Sequence, residues 1–285
     1  MTGGMAPAAG PEEAWPNHSS VAVQLYTVRD YLGDLDATLG RLADLGVRHV
    51  EPFTLFDRPD ELAAALAAHG LCAPMAHSPF LSEEIEYKGR RVPLPPRAVT
   101  FETAWALGVE LLVDPIVPAE RWRSLDSVRR TADRFNEAAQ EAAEHQLRLG
   151  YHNHSFEFHH TFDGVSAYEH FVSLLEPGAV VEVDVFWAAT AGQDVPALLH
   201  RLGDRVGALH LKDGEIAGDP FRSPGGYQPE QLRLAPLGEG QLPIGDIIAA
   251  APPAAAQVIE LDHVPGNPFE AIGDSLTYLR AVAER

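Results

Sequence analysis

Hydrophobic and polar positions follow one another in blocks along the chain, and these blocks predict an alternation of strands and helices. Short apolar runs that predict buried strands lie at residues 21–26, 48–53, 71–77, 109–114, 147–152, 179–184, 206–212 and 255–262. Apolar residues at helical spacing predict helices at about 36–45, 59–69, 95–108, 119–146, 165–175, 192–203, 244–250 and 268–283. Asp36 and Gly46 are the expected caps of the first helix. Residues 78–94 and 213–242, which lack either periodicity, are predicted loops.

Eight strand–helix units in this order predict an α/β protein with a parallel sheet, because parallel strands need long crossover connections. Eight such units close a TIM barrel, so we predict a single (β/α)8 barrel over residues 19–285. Residues 1–18 are rich in Gly, Ala and Pro, and we expect a disordered or loosely attached leader there. No glycine-rich dinucleotide motif follows the first strand, which argues against a nicotinamide cofactor.

The charge of the chain narrows the choice of partners. It has 41 acidic residues and 21 Lys or Arg residues, a formal net charge of -20 at pH 7. Such a charge repels nucleic acid and anionic membranes, so neither is an expected partner. No segment has the roughly 20 consecutive apolar residues of a transmembrane helix. Cys72 is the single cysteine, which excludes an internal disulfide and fits a cytoplasmic protein.

Four of the predicted strands end on ionisable residues. The runs are GYHNHSFEF (150–158), VVEVDVFW (180–187), GALHLKDG (207–214) and QVIELD (257–262). Side chains along a strand point alternately to its two faces. This alternation predicts that one face of each strand, directed toward the barrel axis, carries the polar pairs His152 and His154, Glu182 and Asp184, His210 and Lys212, and Glu260 and Asp262. Because the carboxyl ends of the strands meet at one mouth of a barrel, these groups predict a site for one divalent metal ion. Carboxylate and imidazole ligands suit Mn²⁺, Mg²⁺, Co²⁺ or Zn²⁺, and the absence of thiolates argues against a structural zinc.

Other residues near strand ends are candidates for a substrate pocket. Those expected to contact the substrate are Gln24, Tyr26, Glu51, His77, Asn153, His154, Trp187 and Lys212. Trp187 offers an apolar wall for one face of a sugar, although packing in the core explains a tryptophan there equally well.

Several segments of the chain resemble a known family. The stretches VQLYTVRD (23–30), YHNHSFEF (151–158), DVFWAATAGQD (184–194), GALHLKDG (207–214) and IELDHVPGNPFEAIGDSLTYLR (259–280) are similar to the sugar phosphate isomerase/epimerase branch of the xylose isomerase-like TIM barrels. The resemblance implies one divalent ion bound by Asp184, His210 and Glu260, with a fourth ligand from the fifth strand. Many relatives end that strand on a glutamate, where this chain has His152. Glu157, in the FEF turn, is the preferred fourth ligand, and His152 is the alternative.

The activity that the resemblance implies is that of a metal-dependent isomerase or epimerase. Such an enzyme moves a proton of a sugar, keto-sugar or polyol through an enediolate. Glu157 or Glu260 would be the base, with His152 or His154 as proton partner. Lys212 would stabilise the developing negative charge or contact a phosphate. Related ketose epimerases use two metal-bound glutamates on opposite faces of the substrate, and His152 breaks that symmetry.

Two alternatives stand beside this function. The first is a dehydratase, a lyase acting on a keto-polyol such as an inosose, because inosose dehydratases have a similar histidine-rich end on strand five. The second is a catalytically silent sugar-binding barrel, since a fold alone does not establish activity. A DNA-repair endonuclease on the same barrel needs a basic face, which the net charge disfavours. The expected partner is therefore a small sugar or polyol. Homo-oligomers are common among such barrels, although no segment here indicates an interface.

Overall fold

Eight parallel strands form the centre of the structure, a computed structural model that describes residues 21–53, 58–87, 90–223 and 227–284. The strands are β1 (Val21–Gln24), β2 (His49–Glu51), β3 (Met75–His77), β4 (Leu111–Asp114), β5 (Arg148–His152), β6 (Val180–Asp184), β7 (Val206–Leu211) and β8 (Ala256–Ile259). They are hydrogen-bonded in the order β2-β1-β8-β7-β6-β5-β4-β3. The leader predicted at 1–18 lies outside the described residues.

Backbone hydrogen bonds between β2 and the segment leading into β3 join the two ends of this sheet. Val50 N donates to the Cys72 carbonyl (2.9 Å), and Cys72 N donates to the Arg48 carbonyl (3.0 Å). Further along, His77 N donates to the Pro52 carbonyl at 2.8 Å. These bonds complete the ring, and the predicted (β/α)8 barrel is confirmed.

Helices cover the outside of the barrel. They are α1 (Leu35–Asp44), α2 (Pro59–His69), α3 (Arg97–Ala106), α4 (Leu125–Ala143), α5 (Ala167–Ser173), α6 (Val185–Thr190), α7 (Val195–Leu202), α8 (Ile244–Ala250) and α9 (Pro268–Ala283). The bounds predicted for α2, α8 and α9 agree with the structure at both ends. Within the described ranges, no helix is both long and apolar enough to cross a bilayer.

Two sequence-based expectations were wrong in the first half of the chain. Asp34, not Asp36, caps α1, because the helix begins one residue earlier and the Asp34 carboxylate accepts a backbone N–H of its first turn at 3.0 Å. Residues 78–94 are not simply a loop, since Glu84–Tyr87 pairs antiparallel with Arg90–Pro93. The apolar alternation of that hairpin is too weak to be read from the sequence.

Two helical predictions also need correction. The helix predicted at 119–146 is divided into a 3-10 turn, Ala119–Trp122, and α4, because the hydroxyl of Ser124 caps a new helix start. The short helix α6 was not predicted. Asp184 caps it by accepting the Trp187 backbone N–H at 2.8 Å, so β6 passes directly into a helix.

The interior of the barrel has an apolar floor and a polar layer above it. The floor consists of Ala22, Met75, Leu111, Val113, Val180, Ala208, Ala256 and Val258. Two positions further along their strands come the buried polar residues Gln24, His77, Glu182, His210 and Glu260. Residues of opposite parity, such as Val183, Leu209 and Ile259, pack in the larger core under the helices. The predicted inward and outward alternation is therefore confirmed for β6, β7 and β8.

The segment 213–242 is anchored by Asp213. The Asp213 carboxylate accepts backbone N–H groups of Gly238 (2.9 Å), Gly240 (3.1 Å) and Leu242 (3.0 Å). A Cβ at Gly240 would overlap that carboxylate, so glycine is required there. This anchor fixes both ends of the segment and leaves its middle, which carries Phe221, to pack against other aromatic residues.

Candidate metal centre

Four ionisable residues from four adjacent strand ends lie together at the carboxyl end of the barrel. They are His152, Asp184, His210 and Glu260, and one ligand atom from each lies within 4.8 Å of the others. His210 Nδ1 is 2.8 Å from Glu260 Oε2, and His152 Nε2 is 3.7 Å from Asp184 Oδ2. All four side chains are buried. We call this set the outer group. Its oxygen and nitrogen atoms suit a divalent metal ion.

The hydrogen bonding of Asp184 also fits a cation. Its Oδ1 atom accepts the Trp187 backbone N–H, while its Oδ2 atom is buried with no hydrogen-bond partner. The Lys212 ammonium lies 2.9 Å from Oδ2 as an ion pair. Burial raises the pKa of Asp184 to about 6. A buried carboxylate must be paired with a cation, and a metal ion in the outer group would add to the pairing that Lys212 provides.

Lys212 is a fixed buried cation beside the outer group. Its Nζ atom lies 2.7 Å from both Glu260 Oε2 and Asp262 Oδ2, in addition to the contact with Asp184. Burial disfavours the ammonium, but the three carboxylates outweigh it and hold the pKa of Lys212 well above its usual value. The same Lys212 contact and His210 keep the pKa of Glu260 well below its usual value despite burial. Glu260 is therefore ionised at neutral pH.

A second layer of ionisable residues lies beneath the outer group and is centred on Glu182. Glu182 Oε2 lies 2.6 Å from His77 Nε2, 3.0 Å from His152 Nδ1 and 3.0 Å from His210 Nε2. These four residues form the inner group, whose ligand atoms also lie within 4.8 Å of one another. The histidines His152 and His210 thus belong to both groups. Either set of residues could hold a metal ion.

Glu51 and Gln24 complete the inner layer. Glu51 Oε2 lies 2.6 Å from His210 Nε2 and accepts the amide of Gln24 at 2.8 Å. Both side chains are fully buried below the histidines. They were predicted, together with His77, to line the substrate pocket. The structure places Glu51 and His77 in contact with His210 and Glu182, and Gln24 in contact with Glu51. Their expected contact with substrate stays a prediction.

Burial leaves the two shared histidines in different electrostatic surroundings. Burial, followed by the neighbouring His210, lowers the pKa of His152 to about 3, so this imidazole is neutral at physiological pH. Burial alone would lower the pKa of His210 as well. The carboxylates of Glu182, Glu51 and Glu260 outweigh that effect and raise it. A neutral imidazole has a lone pair available for a metal ion.

Glu157 lies apart from both groups. Its Oε1 accepts the Tyr151 hydroxyl (2.8 Å), and its Oε2 accepts the His154 backbone N–H (2.9 Å). Tyr151 points to the helix side, where it packs against Trp122 and Phe171. The turn after β5 therefore directs Glu157 away from the barrel axis. The geometry favours the alternative, His152, which is the neighbour of Asp184, His210 and Glu260.

Asn153 supports the site from behind. Its Oδ1 accepts the Asp184 backbone N–H (3.1 Å), and its Nδ2 donates to the Asp184 carbonyl (3.3 Å). Both amide atoms are therefore engaged with β6, and Asn153 fixes the backbone of Asp184. The expected contact of Asn153 with substrate stays a prediction.

An aromatic wall borders the outer group. Trp187 packs edge-on against Phe221 (5.3 Å) and Tyr227 (5.8 Å), and the His154 ring lies 5.8 Å from Trp187. Phe221 and Tyr227 stack on each other with centroids 5.0 Å apart. Lys212 Nζ lies 5.8 Å from the Trp187 ring. The sequence indicated Trp187 and His154, but it gave no signal for Phe221 and Tyr227, which lie in an aperiodic segment.

The 213–242 segment is also fastened across the mouth. Tyr227 OH donates to Asp262 Oδ1 at 3.4 Å. Asp219 accepts the Ser155 hydroxyl at 2.8 Å and lies 2.5 Å from His159 Nε2. The Tyr26 ring, which follows β1, meets Phe53 edge-on at 5.2 Å. These contacts surround the outer group with partly exposed aromatic rings.

The fold resembles that of several solved structures. A sugar phosphate isomerase/epimerase from Parabacteroides distasonis is 21% identical, with 97% of this chain and 98% of that chain covered and a TM-score of 0.69. The IolI protein with a bound zinc atom is 18% identical (93% and 98% covered, TM-score 0.68). A probable 3-DHS dehydratase, AsbF from Bacillus anthracis, is 11% identical (92% and 98% covered, TM-score 0.68). At these identities, the similarity is one of fold.

No curated protein sequence matches the chain. The family model of the xylose isomerase-like TIM barrel matches residues 39–281, which run from within α1 to within α9 and include β2 to β8. The resemblance first seen in the strand-end motifs is confirmed, and the chain belongs to the xylose isomerase-like TIM barrel family.

Proposed function

We propose that the protein is a divalent-metal-dependent isomerase or epimerase that acts on a sugar, keto-sugar or polyol by moving a proton beside a carbonyl group. The main support for this proposal is that His152, Asp184, His210 and Glu260 converge next to the buried Lys212. A bound divalent ion supplies Lewis acidity toward the carbonyl and hydroxyl oxygens of the substrate. Membership of a family with isomerase, epimerase and dehydratase structures supports this class of reaction.

The roles of the residues follow from their surroundings. Asp184, His210 and Glu260 would hold the ion, and His152 is the proposed fourth ligand. Glu260 is the proposed base because it is ionised and because Glu157, the other candidate, has both oxygens occupied on the helix side. Lys212 would stabilise negative charge on the substrate oxygen. Trp187, Phe221 and Tyr227 would exclude water and contact the apolar face of the substrate.

The distribution of carboxylates favours proton transfer on one side of the substrate. Asp184 ends β6, and Glu260 and Asp262 follow β8, whereas β5 ends on the neutral His152. An aldose–ketose isomerisation needs one base that takes the proton and returns it to the neighbouring carbon. A dehydratase of a keto-polyol needs the same first step, followed by loss of a hydroxyl group. It is the second candidate, and the neutral imidazole on β5 is the observation that favours it.

Deuterium exchange tests the proposal. Purified protein loaded in turn with Mn²⁺, Mg²⁺, Co²⁺ or Zn²⁺ would be incubated in D₂O with unphosphorylated ketoses and an inosose. We expect deuterium at the carbon beside the carbonyl, and a substrate labelled at that carbon reports internal transfer. Loss of water from the product would identify the dehydratase. Turnover without cleavage of that carbon–hydrogen bond would refute proton transfer, and metal and sugar binding without turnover would indicate a silent barrel.

A further inference from the structure

His152 and His210 each have one ring nitrogen that faces the inner group and one that faces the outer group. His152 directs Nδ1 to Glu182 Oε2 (3.0 Å) and Nε2 toward Asp184 Oδ2 (3.7 Å). His210 directs Nε2 to Glu182 Oε2 (3.0 Å) and Nδ1 to Glu260 Oε2 (2.8 Å). One oxygen of Glu182 is therefore equidistant from the inner nitrogens of both rings.

A neutral imidazole can offer only one nitrogen to a metal ion, because the other nitrogen carries the proton. That N–H needs a buried acceptor, which also fixes the orientation of the ring. On the inner side, Glu182 offers such an acceptor to both rings, and Glu51 Oε2 offers His210 a second one at 2.6 Å. The inner and outer groups therefore compete for the same two imidazoles.

Charge distinguishes the two layers. The inner group has one carboxylate, Glu182, whose Oε2 already lies within 3.0 Å of a nitrogen of His77, His152 and His210. It rests on the apolar floor of the barrel, which supplies no further ligand. The outer group has two carboxylates, Asp184 and Glu260, beside the same two shared histidines. The outer layer therefore offers a divalent ion more negative charge than the inner layer does.

We propose that Glu182, assisted by Glu51, is the positioning residue that fixes the tautomers of both histidine ligands. It accepts an N–H from His152 Nδ1 and from His210 Nε2. His152 then offers Nε2, and His210 offers Nδ1, to the ion of the outer group. This inference rests on the metal site of the proposed function, but it does not depend on which sugar is turned over.

The first test is nitrogen NMR on the Zn²⁺-loaded protein labelled with ¹⁵N-histidine. The expected result is a metal-bound Nε2 with a protonated Nδ1 for His152, and the reverse for His210. Single His152→Gln and His210→Gln variants assign the signals. The opposite tautomers, or zinc located beside His77 by anomalous scattering in crystals, would overturn the proposal. This measurement uses the unaltered site, so it remains decisive where a Glu182 variant does not fold.

The second test is Zn²⁺ affinity, measured by competition with a chelator. Glu182→Gln keeps the shape of the side chain but offers only one acceptor oxygen, so we expect affinity to fall about 10–100-fold, as for other residues that orient metal-bound histidines. Asp114→Asn is the matched control, because Asp114 is equally buried yet accepts the backbone N–H groups of Phe80, Leu81 and Ile116 and belongs to neither group. It should bind Zn²⁺ like the parent protein.

The outcomes separate this inference from the proposed function. Folded Glu182→Gln with unchanged Zn²⁺ affinity would refute the positioning role while leaving the proposed enzyme intact. Tight Zn²⁺ binding with the expected tautomers, but no turnover of any sugar, would refute the enzyme and leave the positioning role intact. A parent protein that binds no divalent ion would refute both.

Discussion

The ammonium of Lys212 lies 2.7 Å from Oε2 of Glu260, the same oxygen that lies 2.8 Å from Nδ1 of His210. One carboxylate oxygen thus faces a permanent cation on one side and a proposed metal ligand on the other. A divalent ion bound through Glu260 would share that carboxylate with Lys212. The two cations would repel each other, while both would draw electron density from the same substrate oxygen. Lys212 should therefore weaken the binding of the metal ion while it accelerates catalysis.

Lys212→Gln should bind a divalent ion more tightly and turn over substrate more slowly. Two unit charges 4 Å apart interact by about 4 kcal/mol at an effective dielectric constant of 20, so affinity should rise at least about tenfold. The metal-free variant should melt at a lower temperature, because three buried carboxylates lose their cation. Calorimetric titration with Mn²⁺, together with turnover of the deuterium-exchanging substrate, measures both effects. Weaker Mn²⁺ binding in a folded variant would show that Lys212 supports the metal site instead of opposing it.

Asp184→Asn and Glu260→Gln should each lose the metal ion and the activity together. Each removes one negative ligand while keeping the volume of the side chain. Elemental analysis after purification without chelator measures the ion, and Asp114→Asn again serves as the control for a buried carboxylate outside the site. Stoichiometric metal in both variants would mean that the ligands lie elsewhere.

The outer group could be predicted from the sequence because strand geometry fixes it. A period of two residues places Asp184, His210 and Glu260 on one side of their strands, and closure of the barrel brings the three strand ends to one mouth. The fourth ligand could not be settled in this way. Glu157 lies beyond β5, where the direction of its side chain depends on the turn and on the Tyr151 hydroxyl, neither of which follows from periodicity.

Long-range packing explains what else was missed. Phe221 and Tyr227 reach the site through an aperiodic segment whose path depends on the Asp213 anchor and on Asp219. The contact between Glu51 and His210 also depends on the register of the strands around the barrel, which sets the height of β2 relative to β7. Local patterns in the sequence carry little information about either.

Glu157→Gln should keep the metal ion and change the pH dependence of stability. Burial raises the pKa of Glu157 from its usual value to about 8, so ionisation of this group destabilises the fold progressively as the pH rises from about 4.5 to 8. The variant has no such ionisation. At pH 5 its melting temperature should be lower than that of the parent protein, because an amide replaces one of two acceptor oxygens. The difference in melting temperature should narrow toward pH 8. Melting temperatures of the metal-free proteins across this range measure it. A difference in melting temperature that stays constant with pH would mean that Glu157 does not titrate between pH 4.5 and 8. Loss of metal binding in the variant would mean that Glu157 is a metal ligand after all.

Phe221→Ala should weaken substrate binding while leaving metal binding unchanged. Phe221 packs against Trp187, Tyr227 and His154 but touches none of the four residues of the outer group. Removing a half-buried aromatic ring that would cover the substrate costs on the order of 1.4 kcal/mol of binding free energy, so KM should rise about tenfold. Trp105→Ala is a suitable control, because Trp105 is a large aromatic residue on α3 that is 58% exposed and remote from the mouth of the barrel. Steady-state kinetics with a saturating metal concentration separates KM from kcat, and Mn²⁺ titration provides the independent reading. An unchanged KM would mean that the aromatic wall does not contact the substrate. A lowered Mn²⁺ affinity would mean that the 213–242 segment supports the metal centre itself.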